Sequence, residues 1–127
     1  MRHLIPIVAY TVLAAVFLRP ATAADDYAFG LDSFPHDGVP KGKVTQFKWE
    51  NSKVFEGTTR DCWVYVPDQY DGKTPACVMV FQDGGGYVDD SRDFRVPVVF
   101  DNLIHRKEMP VTVGIFINPG KFPAVNK

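Results

Sequence analysis

Apolar and polar positions along the chain change period several times, and each change marks an element. From Thr59 to Pro67 they alternate. Cys62, Val64 and Val66 fall on one side and Trp63 and Tyr65 on the other, as in a strand with two differently packed faces. Val44 to Trp49 and Lys53 to Phe55 read as shorter strands separated by a turn at Asn51 and Ser52. Ala76 to Phe81 is another apolar strand, and it leads directly to Gly84, Gly85 and Gly86. After the polar stretch Asp89 to Arg95, the residues Val96, Val99, Phe100, Leu103 and Ile104 recur at the spacing of one helix face. Pro97 fits the first turn of that helix, Lys107 and Glu108 close it, and Pro110 stops it. Val111 to Ile117 is a nearly continuous apolar run rich in β-branched residues, which predicts a strand buried on both faces.

The predicted order is therefore three antiparallel strands, a fourth strand leading into the glycine loop, a helix and a last parallel strand, an α/β arrangement. A strand, loop, helix, strand unit makes Ala76 to Phe81 and Val111 to Ile117 parallel neighbours. The glycine loop then sits at a strand's carboxyl end, where open α/β sheets bind ligands. Tyr70, Asp71 and Gly72 supply turn chemistry before Ala76, so a hairpin to the alternating strand is the simplest connection. The chain has no internal repeat, low-complexity tract or charge block.

Three glycines at that position have a chemical use. Without Cβ atoms, Gly84, Gly85 and Gly86 are able to take φ > 0 and bring their amide N–H groups close to a ligand oxygen. Fixed N–H donors aimed at developing negative charge are what an oxyanion hole consists of. A tight strand-to-helix turn without a ligand is the other reading of the same residues. Tyr87 either lines the substrate pocket or packs under the loop.

The amino terminus has a different character. Met1, Arg2 and His3 are followed by an almost wholly apolar stretch from Leu4 to Leu18, and Ala21-Thr22-Ala23 has small residues where a signal peptidase reads. Residues 1–23 are thus expected to be a secretory signal peptide, with the mature chain starting at Ala24 or Asp25 and no membrane attachment after cleavage. The apolar core is shorter than the roughly 20 residues that span a bilayer. Residues 24–42 read as an extension and 43–127 as the α/β domain.

Formal net charge is −1 with signs well mixed, which leaves no basic stripe for nucleic acid. No Cys/His cluster, HExxH, P-loop or GxGxxG is present, so no metal or other cofactor is expected. Cys62 and Cys77 are placed on neighbouring strands of an exported protein, where either a disulfide or free thiols are possible.

Several of these segments together resemble a known family. Lys43-Val44-Thr45 through Trp49, Gly57-Thr58-Thr59-Arg60-Asp61 with Trp63-Val64-Tyr65-Val66-Pro67, and Phe81-Gln82-Asp83-Gly84-Gly85-Gly86-Tyr87 carry the likeness, continued by Val96 to Ile104 and Phe116-Ile117-Asn118-Pro119-Gly120. The pattern is similar to the exported enterochelin-esterase-like hydrolases, a branch of the α/β-hydrolase superfamily, and covers Gly38 to Gly120. The resemblance implies a serine carboxylic-ester hydrolase acting on a small-molecule or saccharide ester. In that family the glycine loop after the third strand provides part of the oxyanion hole, which assigns Gly84, Gly85, Gly86 and Tyr87 to the site.

One departure is large. An α/β-hydrolase carries its nucleophile in a G-x-S-x-G elbow after the next helix and strand, with the acid and the histidine later. Ser33, Ser52 and Ser91 have no such flanking glycines. The chain is accordingly read as the amino-terminal part of a longer hydrolase, inactive by itself. The other polar residues have simpler uses: His36 and His105 as surface or turn histidines, Asp89, Asp90 and Asp93 as a solvated loop, and Asp83 as organiser of the glycine turn through its side chain. Trp49, Trp63 and Phe55 read as strand packing. A secreted binding module without catalysis, using exposed aromatics to hold carbohydrate, is the alternative function.

Overall fold

The computed structural model describes residues 28–122. Both the expected signal peptide and the last residues lie outside that range. The strands are β1 (Lys43–Trp49), β2 (Arg60–Val66), β3 (Cys77–Gln82) and β4 (Thr112–Ile117). Two helices, α1 (Gly84–Val88) and α2 (Val96–His105), lie between β3 and β4, and a single 3₁₀ turn, Leu31–Ser33, precedes β1. Among the described residues no helix is long and apolar enough to cross a membrane.

The four strands form one mixed sheet in the order β1-β2-β4-β3. β1 runs antiparallel to β2, β2 antiparallel to β4, and β3 parallel to β4 in the register Cys77↔Thr112 to Gln82↔Ile117. The parallel pair is the one expected from the crossover. The hairpin between the alternating strand and Ala76 is not formed, because β4 inserts between β2 and β3 and leaves β3 at the edge. Nor is Lys53 to Phe55 a strand. Its amides are used in a turn, where the Phe55 N–H donates to Ser52 Oγ at 3.0 Å and the Thr58 N–H to the Phe55 carbonyl at 3.1 Å.

Strand alternation decides which side the helices cover. Trp63, Tyr65, Phe81 and Phe116 share one face by register, and Phe100 and Ile104 of α2 join Tyr65 and Phe116 in the core. Phe81 stacks on Phe116 at 4.8 Å, and Phe100 meets Tyr65 edge-on at 5.8 Å. The other face carries Val78, Val80, Val113, Ile115 and Ile117, and no helix lies on it among the described residues. β4 is therefore buried only at Thr112, Gly114 and Phe116, not on both faces as its composition predicts. Val78 and Val80 remain 61% and 56% exposed.

Helix α2 also departs from its apolar stripe. It buries Asp101 and Asn102 together with Val96, Pro97, Phe100 and Ile104. The segment before β1 lies over these two polar residues, and they hold it. Gly42 N–H donates to Asp101 Oδ1 at 2.8 Å, and Asn102 Nδ2 donates to the carbonyls of Asp32 and Phe34 at 2.9 Å each. Arg95 adds a guanidinium 4.0 Å above the Phe29 ring and a hydrogen bond to the Ser33 carbonyl. The helix ends one turn earlier than Glu108. Lys107 takes φ 60°, and the Glu108 and Lys107 amides return to the Leu103 and Ile104 carbonyls, a Schellman closure without glycine.

The strand order also separates the cysteines. Cys62 pairs with Ile117 across β4 and Cys77 with Thr112, so one whole strand stands between them. Two strand spacings amount to roughly 9–10 Å, beyond the ~7 Å that a disulfide tolerates between Cα atoms. Both thiols are free, Cys62 buried and Cys77 exposed. Burial also pushes the Cys62 thiol up, which lowers its thiolate fraction. A native titration with Ellman's reagent should find Cys77 reacting at once and Cys62 only after unfolding. Equal fast reaction of both would contradict the burial of β2.

Candidate active-site turn at the strand carboxyl ends

The three glycines do not form an open loop. They are the first turn of α1, which starts immediately after β3. The left-handed residue that makes the strand-to-helix corner is Asp83, at φ 57° and ψ 37°, and none of Gly84, Gly85 or Gly86 has positive φ. The expectation that these glycines use φ > 0 is thus corrected. Aspartate is among the residues that tolerate this region best, and Asp83 makes the corner with its backbone alone; its side chain makes no capping hydrogen bond, contrary to the expectation that the side chain organises the turn.

What the glycines supply is the absence of a side chain. A Cβ on Gly84 would lie 2.5 Å from the Phe116 carbonyl carbon and still closer to the Ile117 nitrogen, so α1 packs directly on the β4 backbone. A Cβ on Gly85 would be 3.3 Å from the Asn118 amide group and 3.4 Å from the Trp63 ring. At Gly86 it would meet nothing within 4 Å.

The N–H groups of the turn are partly spoken for. Gly85 N–H donates to Asn118 Oδ1 at 2.9 Å, and Gly86 N–H donates to the Asp83 carbonyl at 2.9 Å. Gly84 is buried and takes no part in these bonds. Asn118 follows β4 directly, and its own N–H donates to the Asp61 carbonyl at 3.0 Å. Its side-chain oxygen thus occupies the acceptor position on the Gly85 N–H. Sequence reading passes over Asn118, although an Asn-Pro-Gly run after a parallel strand is its visible signal. Tyr87 packs between Phe81, at 5.3 Å, and Phe94, stacked at 4.4 Å.

A cavity of about 530 Å³ lies at the carboxyl ends of β3 and β4, lined by Gln82, Asp83, Ile117 and Asn118 with Trp49 and Arg60 opposite. Of the turn only the corner residue Asp83 lines it; Gly85 lines a separate cleft of about 500 Å³ on the helix-covered side of the sheet. The histidines and serines do not converge on it. His36 Nε2 lies 3.0 Å from the Leu31 carbonyl, Ser52 Oγ and Ser91 Oγ are engaged in local turns, and no serine bonds a histidine among the described residues. Asp89 accepts from Ser91 N–H and Oγ–H and pairs with Arg92, which is turn chemistry. Its carboxyl is held below the usual carboxylate range by those bonds. Among the described residues no three His, Cys, Asp or Glu side chains gather as a metal would require.

Asp101 forms the second polar centre. Its Oδ1 accepts from Tyr65 Oη–H at 2.6 Å as well as from Gly42 N–H. Burial pushes its carboxyl above the usual range, against the pull of these donors and of Lys41. Burial and the Asp101 bond push the Tyr65 hydroxyl far above its ordinary value, so it stays a donor.

Solved structures share this arrangement. A structure of FAE superposes with a TM-score of 0.56 at 18% identity, covering 73% of this chain and 32% of that one. A mutant of the feruloyl esterase module from Clostridium thermocellum, complexed with sinapinate, gives 0.53 at 18% identity, over 74% of this chain and 31% of that one. No protein-family profile and no curated protein sequence matches the chain. The chain spans about a third of the length of these structures. Its fold is a partial α/β arrangement, a mixed sheet shared with part of these structures.

Proposed function

We propose that this chain is the amino-terminal part of an exported serine carboxylic-ester hydrolase of the enterochelin-esterase-like kind. The observation that carries the reading is the turn at Asp83 to Gly86. It stands at the carboxyl end of a parallel strand, pressed on β4, beside a cavity. Backbone donors at such a place suit an ester carbonyl whose oxygen becomes negative on attack. The fold shared with esterases adds to it. The apolar, exposed edge of β3 is a surface that further strands of a longer sheet would cover.

In this reading the chain's own residues bind and orient. Gly84 to Gly86, with Tyr87 packed beneath, form the oxyanion wall. Asn118 fills the Gly85 donor until an ester carbonyl displaces it. The nucleophilic serine, the acid and the histidine come from outside these 127 residues, so the chain alone hydrolyses no ester above background.

The test is steady-state hydrolysis of aryl acetates and of hydroxycinnamoyl esters by the product of the whole native reading frame. Turnover by that product and none by the isolated 127 residues is the expected result. A native product without activity on any ester would overturn the proposal.

A further inference from the structure

We propose that the cleft between the segment before β1 and the two helices binds a polyhydroxylated ligand of monosaccharide size, with its ring against Trp63 and hydroxyls on Asp101 and Asn102. The cleft has a volume of about 500 Å³, in the range of small-molecule sites. Val44, Trp63, Val88, Pro97 and Val98 form its apolar walls.

The polar groups point to the ligand's chemistry. Asn102 is 1% exposed, and its Nδ2 is spent on two backbone carbonyls. Its Oδ1 is buried without a partner among the described residues. A buried acceptor left in this state is destabilising, and a donor from a ligand would relieve it. Asp101 beside it uses only Oδ1 for Tyr65 and Gly42, leaving Oδ2 without a bond among the described residues. Asp89 and Asp90 stand on another wall. The cleft thus has an excess of acceptors over an apolar floor.

A ligand that fits must offer several donors and one apolar face. A pyranose does so, with hydroxyls at its edge and C–H groups on its faces. A simple cation satisfies the carboxylates but not the apolar walls, and Lys41 in the lining opposes it. The cleft also takes in Gly85, so a bound ligand would lie against the glycine turn, but sugar binding needs no nucleophile and is read without ester hydrolysis. The cleft opens on the helix-covered side of the sheet, whereas the cavity at the strand ends is lined by Val80, Gln82 and Ile117 of the opposite face.

The experiment is an ¹H–¹⁵N NMR titration of the full-length protein with methyl β-glucopyranoside and methyl β-xylopyranoside. Saturable shifts are expected at the Trp63 indole N–H and the Asn102 side-chain amide. Val98→Phe, which fills the cleft, should weaken binding at least tenfold while the rest of the spectrum is unchanged. Cyclohexylmethanol, which has the apolar ring but one hydroxyl, serves as the ligand-side control and does not rely on any variant. No saturable shift at these two groups with either sugar would overturn the proposal. So would equal affinity for cyclohexylmethanol, or a response to tetramethylammonium alone.

Discussion

Gly84→Ala should destabilise the protein by about 3 kcal/mol, the upper part of the range for forcing a methyl into a filled site. The expected melting temperature is lower by more than ~10 °C. The cause is geometric. The added Cβ would press on the Phe116 carbonyl carbon at 2.5 Å and on the Ile117 nitrogen, and both belong to a central strand that cannot give way without breaking its ladder. Gly86→Ala is the internal control. Its Cβ meets open space and its φ is not positive, so alanine should be neutral or stabilising by about 0.5–1 kcal/mol. Thermal melts of the two variants decide the matter. Equal behaviour would mean that α1 does not rest on β4 as described.

Asp101→Ala is the second large effect, a loss of about 2–4 kcal/mol. It leaves the fully buried Tyr65 hydroxyl and the Gly42 amide without their shared acceptor. Asp101→Asn should behave quite differently, because its Oδ1 still accepts from both donors. The pH dependence separates the two roles of the carboxylate. Since the folded value lies above the ordinary 3.8, the folded protein holds this proton more tightly than the unfolded chain does. Its contribution is most favourable below that pH and falls as pH rises through the folded value. Urea unfolding across that window should show the decline in the native protein and lose it in Asp101→Asn. A native stability that rises through the window, with the variant unchanged, would contradict the burial of Asp101.

The local elements are legible in the sequence because their causes are local. The alternation at Cys62 to Val66 gives β2, and Val96 to Ile104 gives α2 with proline in its first turn. The strand order is not, since nothing between Pro67 and Ala76 tells β3 to leave room for β4. That choice is made by the crossover and by burial of Phe116 between Tyr65 and Phe81. Likewise Gly84-Gly85-Gly86 announces that side chains are excluded, yet does not say whether φ or contact is the reason. Contact is the reason at Gly84, and Asp83 takes the left-handed corner. The buried Asp101-Asn102 pair is visible only as two polar residues inside an apolar helix. Its meaning comes from a segment some 60–70 residues away, with Gly42 bonded to Asp101 and Asp32 to Asn102.

The most direct measurement of the central claim is covalent labelling with a fluorophosphonate. The product of the whole reading frame should gain the mass of one phosphonyl group on a serine outside residues 1–127. The isolated chain should gain none, even though it contains Ser33, Ser52 and Ser91. No labelling of the native product, or stoichiometric labelling of any of those three serines, would contradict the account.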